Sequence, residues 1–136
     1  MTANELKLVF PTAAHEPAVW AFRQKHFDNG EARINGSSAL HSYDSYAKWL
    51  ADAESDLTTS KPGWVCATIY LAMLGDMVVG MIQIRHELNE HLSQVGGHIG
   101  YSIAPSLRGR GYGSRQLALA ARQGARDGIS PRDDNV

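Results

Sequence analysis

The stretch Ser106–Leu119 reads SLRGRGYGSRQLAL. Its glycines stand at 109, 111 and 113 and its arginines at 108, 110 and 115, and an apolar segment with helical spacing follows at once. Before it, GGHIGYSIA (residues 96–104) reads as a strand that ends at Pro105. A glycine-rich basic turn between a strand and a helix suits an anion. The first amides of a helix lack partners inside it and lie at the positive end of its dipole. Glycine adopts positive φ and lets the backbone approach a phosphate with no Cβ in the way. Arg108 and Arg110 add charge.

Spacing separates this motif from other phosphate-binding patterns. A Walker loop requires Lys-Ser or Lys-Thr after its last glycine, whereas Gly113 is followed by Ser114 and Arg115. A dinucleotide fingerprint requires G-x-G-x-x-G, which the positions 109, 111 and 113 do not satisfy. An arginine-glycine RNA-binding tract is repetitive, and this is one short copy between regular elements. A plain glycine-rich surface turn would need neither arginine nor an immediate helix start.

Upstream, ELKLVF (residues 5–10) alternates as a first strand ended by Pro11. A helix fits Ala14 to Asp28, with Val19, Phe22 and His26 on one face and Gly30 as its stop. NGEARINGSSALHS (residues 29–42) is loop-like, and a second helix fits Asp44 to Ala53, capped by Asp44 or Ser45, with Tyr46, Trp49, Leu50 and Ala53 on one face. WVCATIYLAML and VVGMIQIRHEL read as strands joined by a hairpin at Gly75-Asp76. Downstream of the motif, Ser114 to Asp127 reads as a helix with Leu117, Ala120, Ala121 and Ala125 inward and Gly128 at its end. The order is β-α-α-β-β-β-α, an α+β pattern. It implies one domain over residues 1–128 and a frayed tail at 129–136.

With 136 residues, 43% hydrophobic and 20% charged, the chain has the composition of a globular domain with one sizeable core. The longest apolar run, Trp64–Leu74, is too short to cross a bilayer, and MTANELKLVF has no signal-peptide pattern, so a cytoplasmic location is expected. Cys66 is single and lies in a strand-like run, which predicts a small core hydrophobe. The net charge of -1 is unevenly spread: residues 105–132 hold six arginines against Asp127 alone. That asymmetry fits an anionic partner for the motif, and equally an amphipathic helix with a solvated arginine face. A net-acidic chain without a broad basic face ranks nucleic acid last among the candidate partners. The zinc motif H-E-x-x-H fails in RHELNEH, because Glu90 stands where the second histidine is required and His91 is turned by about 140° from His86 on a helix. No metal is expected.

The segment Ile99–Leu117, IGYSIAPSLRGRGYGSRQL, with Arg108-x-x-Gly111-x-Gly113 after a strand, resembles the coenzyme-A signature of the GNAT-type N-acetyltransferase superfamily. The element order resembles that family's N-terminal portion. The resemblance implies a mostly antiparallel sheet flanked by helices. It further implies an enzyme that moves an acetyl group from acetyl-CoA to a primary amine of a small molecule or peptide. A non-catalytic CoA- or anion-binding module of the same fold is the alternative. By this resemblance Arg108, Gly109, Arg110, Gly111, Tyr112, Gly113 and Ser114 hold the pyrophosphate, Tyr112 by packing, while Tyr101, Ser102 and Ile103 pair with the pantetheine arm. An amide near Ile103 is the oxyanion donor, and His98, or Glu87 and Glu90, is the base. The loop from Asn29 to Ser42 borders the acceptor pocket, where Asp28, Glu31, Glu87 and Glu90 permit a cationic amine. Family members continue after this helix with further strands and a helix that often carries a tyrosine acid. Here a C-terminally truncated member is expected, or a partner chain, such as a homodimer mate, that covers the exposed edge of the 96–103 strand.

Overall fold

The computed structural model describes residues 5–58, 66–85 and 99–126. Four strands, β1 (Leu6–Val9), β2 (Ala67–Leu74), β3 (Met77–Arg85) and β4 (Ile99–Ile103), form one antiparallel sheet in the order β1-β2-β3-β4. Helices α1 (Glu16–Asp28) and α2 (Tyr46–Ser55) lie between β1 and β2 in sequence, and α3 (Tyr112–Arg126) follows β4. This is the α+β order that the sequence implies.

Helices on both faces explain the unbroken apolar strands. Every residue of β2 except Leu74 is buried, so its run reads as continuous rather than alternating. Val19 and Phe22 of α1 and Trp49 of α2 pack with Ile69, Leu71, Met73 and Met81 on one face. On the other, Ala120 and Leu117 of α3 meet Tyr70, Ile82 and Ile84, while Tyr112 and Leu119 join Leu6, Ala72 and Val79. The β2–β3 hairpin turns at Gly75 (φ 62°), and a bulge places Val79 as the extra residue opposite Ala72 and Met73.

Local chemistry sets the helix ends. Thr12 accepts a bond from the Ala14 amide (3.3 Å), and its own amide donates to His15 Nδ1 (2.9 Å), a reciprocal cap ahead of α1. A 3-10 turn (Ala13–His15) thus occupies the predicted first residues of that helix, with Pro17 tolerated in the first turn of α1. Ser45, one of the two predicted caps, accepts from Lys48 N at 3.2 Å. Buried Trp49 donates from Nε1 to Ser37 O (2.9 Å), and Tyr46 donates from its hydroxyl to Thr12 O (2.6 Å).

Three expectations need correction. Helix α3 begins at Tyr112, two residues before the predicted Ser114. Its inward face centres on Gln116 and Ala120, one turn apart and both fully buried, which rotates Ala121 into solvent. Cys66 lies just before β2 and is half-buried rather than in the core. The predicted inward Ala125, the end at Gly128 and the tail at 129–136 lie outside the residues whose side chains or backbone are described. Among the described residues, no helix is long and apolar enough to cross a membrane.

Candidate active site

The site is built where β4 runs into α3. Among the described residues β4 is an edge strand, paired with β3 alone. Ala104 N donates to Val79 O at 2.8 Å. Inward and outward groups alternate along an antiparallel ladder, so the amides of Ile103 and Tyr101 face the open edge. Just upstream, the loop after α1 covers one face of the sheet: Gly36, at φ +66°, lies so close to β4 that a Cβ there would lie 2.3 Å from Gly100 O, and Ser38 Oγ accepts from Gln83 Nε2 at 3.0 Å.

Beyond Ile103, a 3-10 turn (Pro105–Leu107) leads into Arg108, Gly109 and Gly111, the glycines at φ +78° and +85°. A Cβ on either would meet nothing within 4 Å, so the demand for glycine is conformational and the space beside both is open. Arg115 N donates to Gly111 O (3.1 Å) as the first bond of α3. The amides of Tyr112, Gly113 and Ser114 precede it and have no partner within the helix. Tyr112 packs against the sheet, as expected, and the Arg115 guanidinium lies 5.3 Å from its ring centre.

The two arginines of the motif divide their roles. Arg110 is exposed, with no ion pair or hydrogen bond among the described residues. Arg108 is committed: Nη1 and Nη2 donate to the two carboxylate oxygens of Glu31 at 2.8 and 2.7 Å, and Nε donates to Ile103 O at 3.1 Å. Hydrogen bonds from Arg108, then from Asn29, hold the Glu31 carboxyl at about 2, well below the usual range, and the same pairing raises Arg108. Arg108 therefore ties the loop after α1 to the end of β4. Of its five N–H groups two are left for a ligand.

A cavity of about 640 Å³ lies between these elements, lined by Tyr101, Ser102, Ile103, Arg108, Glu31 and His26 among others. His26 is 1% exposed: Nδ1 bonds to Phe22 O (3.0 Å) and Nε2 has no partner. Ser102 Oγ is likewise buried without a partner. Gln116 of α3 reaches the back of the strand, Nε2 to Ser102 O at 3.5 Å, in space left by Gly80, where a Cβ would lie 2.5 Å from Gln116 Oε1.

The structure thus gathers the predicted Tyr101, Ser102, Ile103, Arg108, Gly109 and Gly113 around one cavity. The predicted bases His98, Glu87 and Glu90 lie outside the described residues. Sequence reasoning missed the Glu31 contact, which spans 77 positions, and Gln116, which reads as surface on a basic helix. His26 was placed correctly on a core face, but the free Nε2 leaves no trace in sequence. No grouping of three His, Cys, Asp or Glu able to hold a metal occurs among the described residues.

Three solved structures share this fold. The acetyltransferase of Salmonella typhimurium that modifies the N-terminal serine of 50S ribosomal subunit protein L7/L12 matches 92% of this chain at 21% identity and a TM-score of 0.58. RimL, the ribosomal L7/L12 alpha-N-protein acetyltransferase in complex with coenzyme A, matches 90% at 20% identity and 0.58. The microcin C7 self-immunity acetyltransferase MccE, in complex with acetyl-CoA and AMP, matches 96% at 12% identity and 0.59. The chain spans 66%, 65% and 68% of those three chains, respectively. None of the curated proteins matches it. The family model described as Acetyltransferase (GNAT) family matches residues 32–132, from the loop that carries the Ser37–Trp49 bond through the whole strand-loop-helix site. This chain belongs to the GNAT acetyltransferase family.

Proposed function

We propose that this chain binds acetyl-CoA and transfers its acetyl group to a primary amine of a small molecule or peptide. The observation that supports this reading is the continuity, among the described residues, of an open strand edge with an uncommitted helix N-terminus across one cavity. The site fits the group. An extended amide-bearing arm adds to the Tyr101–Ile103 edge as a strand would. A diphosphate takes the amides of the Gly109–Ser114 loop, where the open space beside Gly109 and Gly111 admits it, with Arg110 as its free cation. When bound, acetyl-CoA supplies an activated thioester carbonyl. The Ile103 amide, fixed by β4, is aimed to donate to the oxygen on which charge develops. His98 and Glu87 remain the bases proposed on the strength of the family resemblance. Because one neighbour modifies an N-terminal serine, a peptide with a free serine α-amine belongs in any acceptor panel.

The test is thermal melting with and without acetyl-CoA, alongside release of free thiol over a panel of amines. At 100 times Kd a ligand adds about 2.7 kcal/mol to stability. Arg110→Ala should leave the unliganded Tm nearly unchanged and weaken acetyl-CoA by about tenfold, the worth of one charge-assisted contact. Arg108→Ala should lower the unliganded Tm as well, since it frees the Glu31 loop. No stabilisation of the wild type by acetyl-CoA would overturn the reading. Stabilisation without thiol release for any amine would leave a CoA-binding module.

A further inference from the structure

We infer that His26 of α1 is a substrate-contacting residue whose Nε2 receives the proton of a cationic amine acceptor. This inference rests on the transferase reading above and gives His26 the base role that the family resemblance assigned to His98 or Glu87. A carbonyl oxygen only accepts hydrogen bonds, so the contact between His26 Nδ1 and Phe22 O fixes the hydrogen on Nδ1. The neutral ring then carries its lone pair on Nε2. The ring is also held by an edge contact with Phe22, centroids 4.6 Å apart, so the lone pair has a fixed direction. Nε2 is nevertheless buried with no partner, and Ser102 Oγ is in the same state; both residues line the cavity that also holds the Ile103 edge.

A buried polar atom without a partner costs stability, and native chains retain few of them. Histidine chosen for packing alone would be replaced by leucine at no loss, because Phe22 O already lies within helix α1. Two such atoms, from a helix and a strand, at one cavity indicate hydrogen bonds completed by a molecule that the chain does not contain. Nε2 can only accept, and Ser102 Oγ can accept as well as donate, so the complement carries N–H donors, as an amine acceptor does. The neighbouring charges are Glu31 and Arg33 from the loop after α1 and Arg108 from the segment after β4.

The step balances as follows. One N–H bond of the acceptor's ammonium breaks and its proton joins Nε2. The freed lone pair forms the C–N bond as the thioester C–S bond breaks. The second N–H proton leaves with the CoA thiol, and the imidazolium returns its proton to solvent.

Two variants and two readouts test this. His26→Leu removes both nitrogens at similar volume. His26→Asn keeps a donor for Phe22 O and covers the case in which the leucine variant does not fold. Expected are a Tm at or above the wild type for His26→Leu, an undiminished acetyl-CoA shift for both, and thiol release reduced by about a hundredfold or more. A folded His26 variant that releases thiol at the wild-type rate overturns the inference while leaving the transferase reading standing. Wild-type protein that is stabilised by acetyl-CoA but acetylates none of the amines is a CoA-binding module, which overturns the transfer step and this inference together. Absence of an acetyl-CoA shift in wild type overturns the transferase reading itself, and this inference with it.

Discussion

Two glycine-rich loops meet at the site, and they use glycine in opposite ways. The loop over residues 29–42 is filled from within: Ile34, Ser37 and Leu40 are buried, Arg23 donates to the carbonyls of Leu40 and Tyr43, and Ser37 bonds to Ile34 O and accepts from Leu40 N. Gly36 sits where no Cβ fits. The loop over residues 108–111 is empty: beside Gly109 and Gly111 there is nothing within 4 Å of a Cβ. Both loops need positive φ. Only the first has the space occupied by its own chain, whereas the second leaves it to something from outside. A glycine hemmed in by backbone serves the fold, and a positive-φ glycine facing open space at a helix start serves a ligand.

Substitution at the packed glycine is the strongest way to break this contrast. In Gly36→Ala the methyl must displace Gly100 O, Gly100 C or Tyr101 Cα, all within 2.5 Å and all backbone, and the left-handed φ adds strain. Together these cost about 3 kcal/mol or more, read as a fall in Tm of roughly 10 °C or more. A Tm within a degree or two of wild type would remove the distinction. At the open loop, Gly111→Ala meets no atom and pays only the conformational cost, about 1 kcal/mol or a few degrees. Its larger consequence is for the ligand, because the new methyl stands in the space through which a diphosphate would approach. The acetyl-CoA shift in Tm should shrink far more than the unliganded Tm, and equal losses of both would show that the open space is not used.

How legible this was differed between the two loops. The 108–114 stretch announced itself because its information is local: glycines, arginines and a helix start within seven residues. Strands and helices were equally local, carried by periodicity in 5–10, 64–74 and 78–88 and by the caps at Ser45 and Gly30. The 29–42 loop read as bland polar chain, because its burial depends on partners far away in sequence, Trp49 for Ser37 O and Gly100 for Gly36. The same distance hid the Arg108 partner. By charge alone Arg108 and Arg110 are equivalent, and only the fold, by bringing Glu31 to one of them, makes one a strut and leaves the other without an ion pair among the described residues. Ala121 was misplaced for a subtler reason: in a helix rich in alanine, several rotations give similar apolar faces, and burial of polar Gln116 decides among them.

Glu31 joins the two loops, and its substitution should have the smallest effect of the series. Glu31→Gln keeps one acceptor for Arg108 but removes the charge, so the unliganded Tm near pH 7 should fall only slightly, as for other ion pairs near the surface. The informative quantity is how that difference changes with acid. The Glu31 carboxyl has its folded value lowered from 4.5 to about 2 by Arg108 and Asn29. A depressed folded value gives stability that is complete above 4.5 and is lost as pH falls toward about 2. The Tm gap between wild type and Glu31→Gln should therefore be constant from pH 7 down to about 5 and close progressively below that. A gap that persists unchanged at pH 3 would mean that the carboxylate charge does not hold the packed loop to the open one.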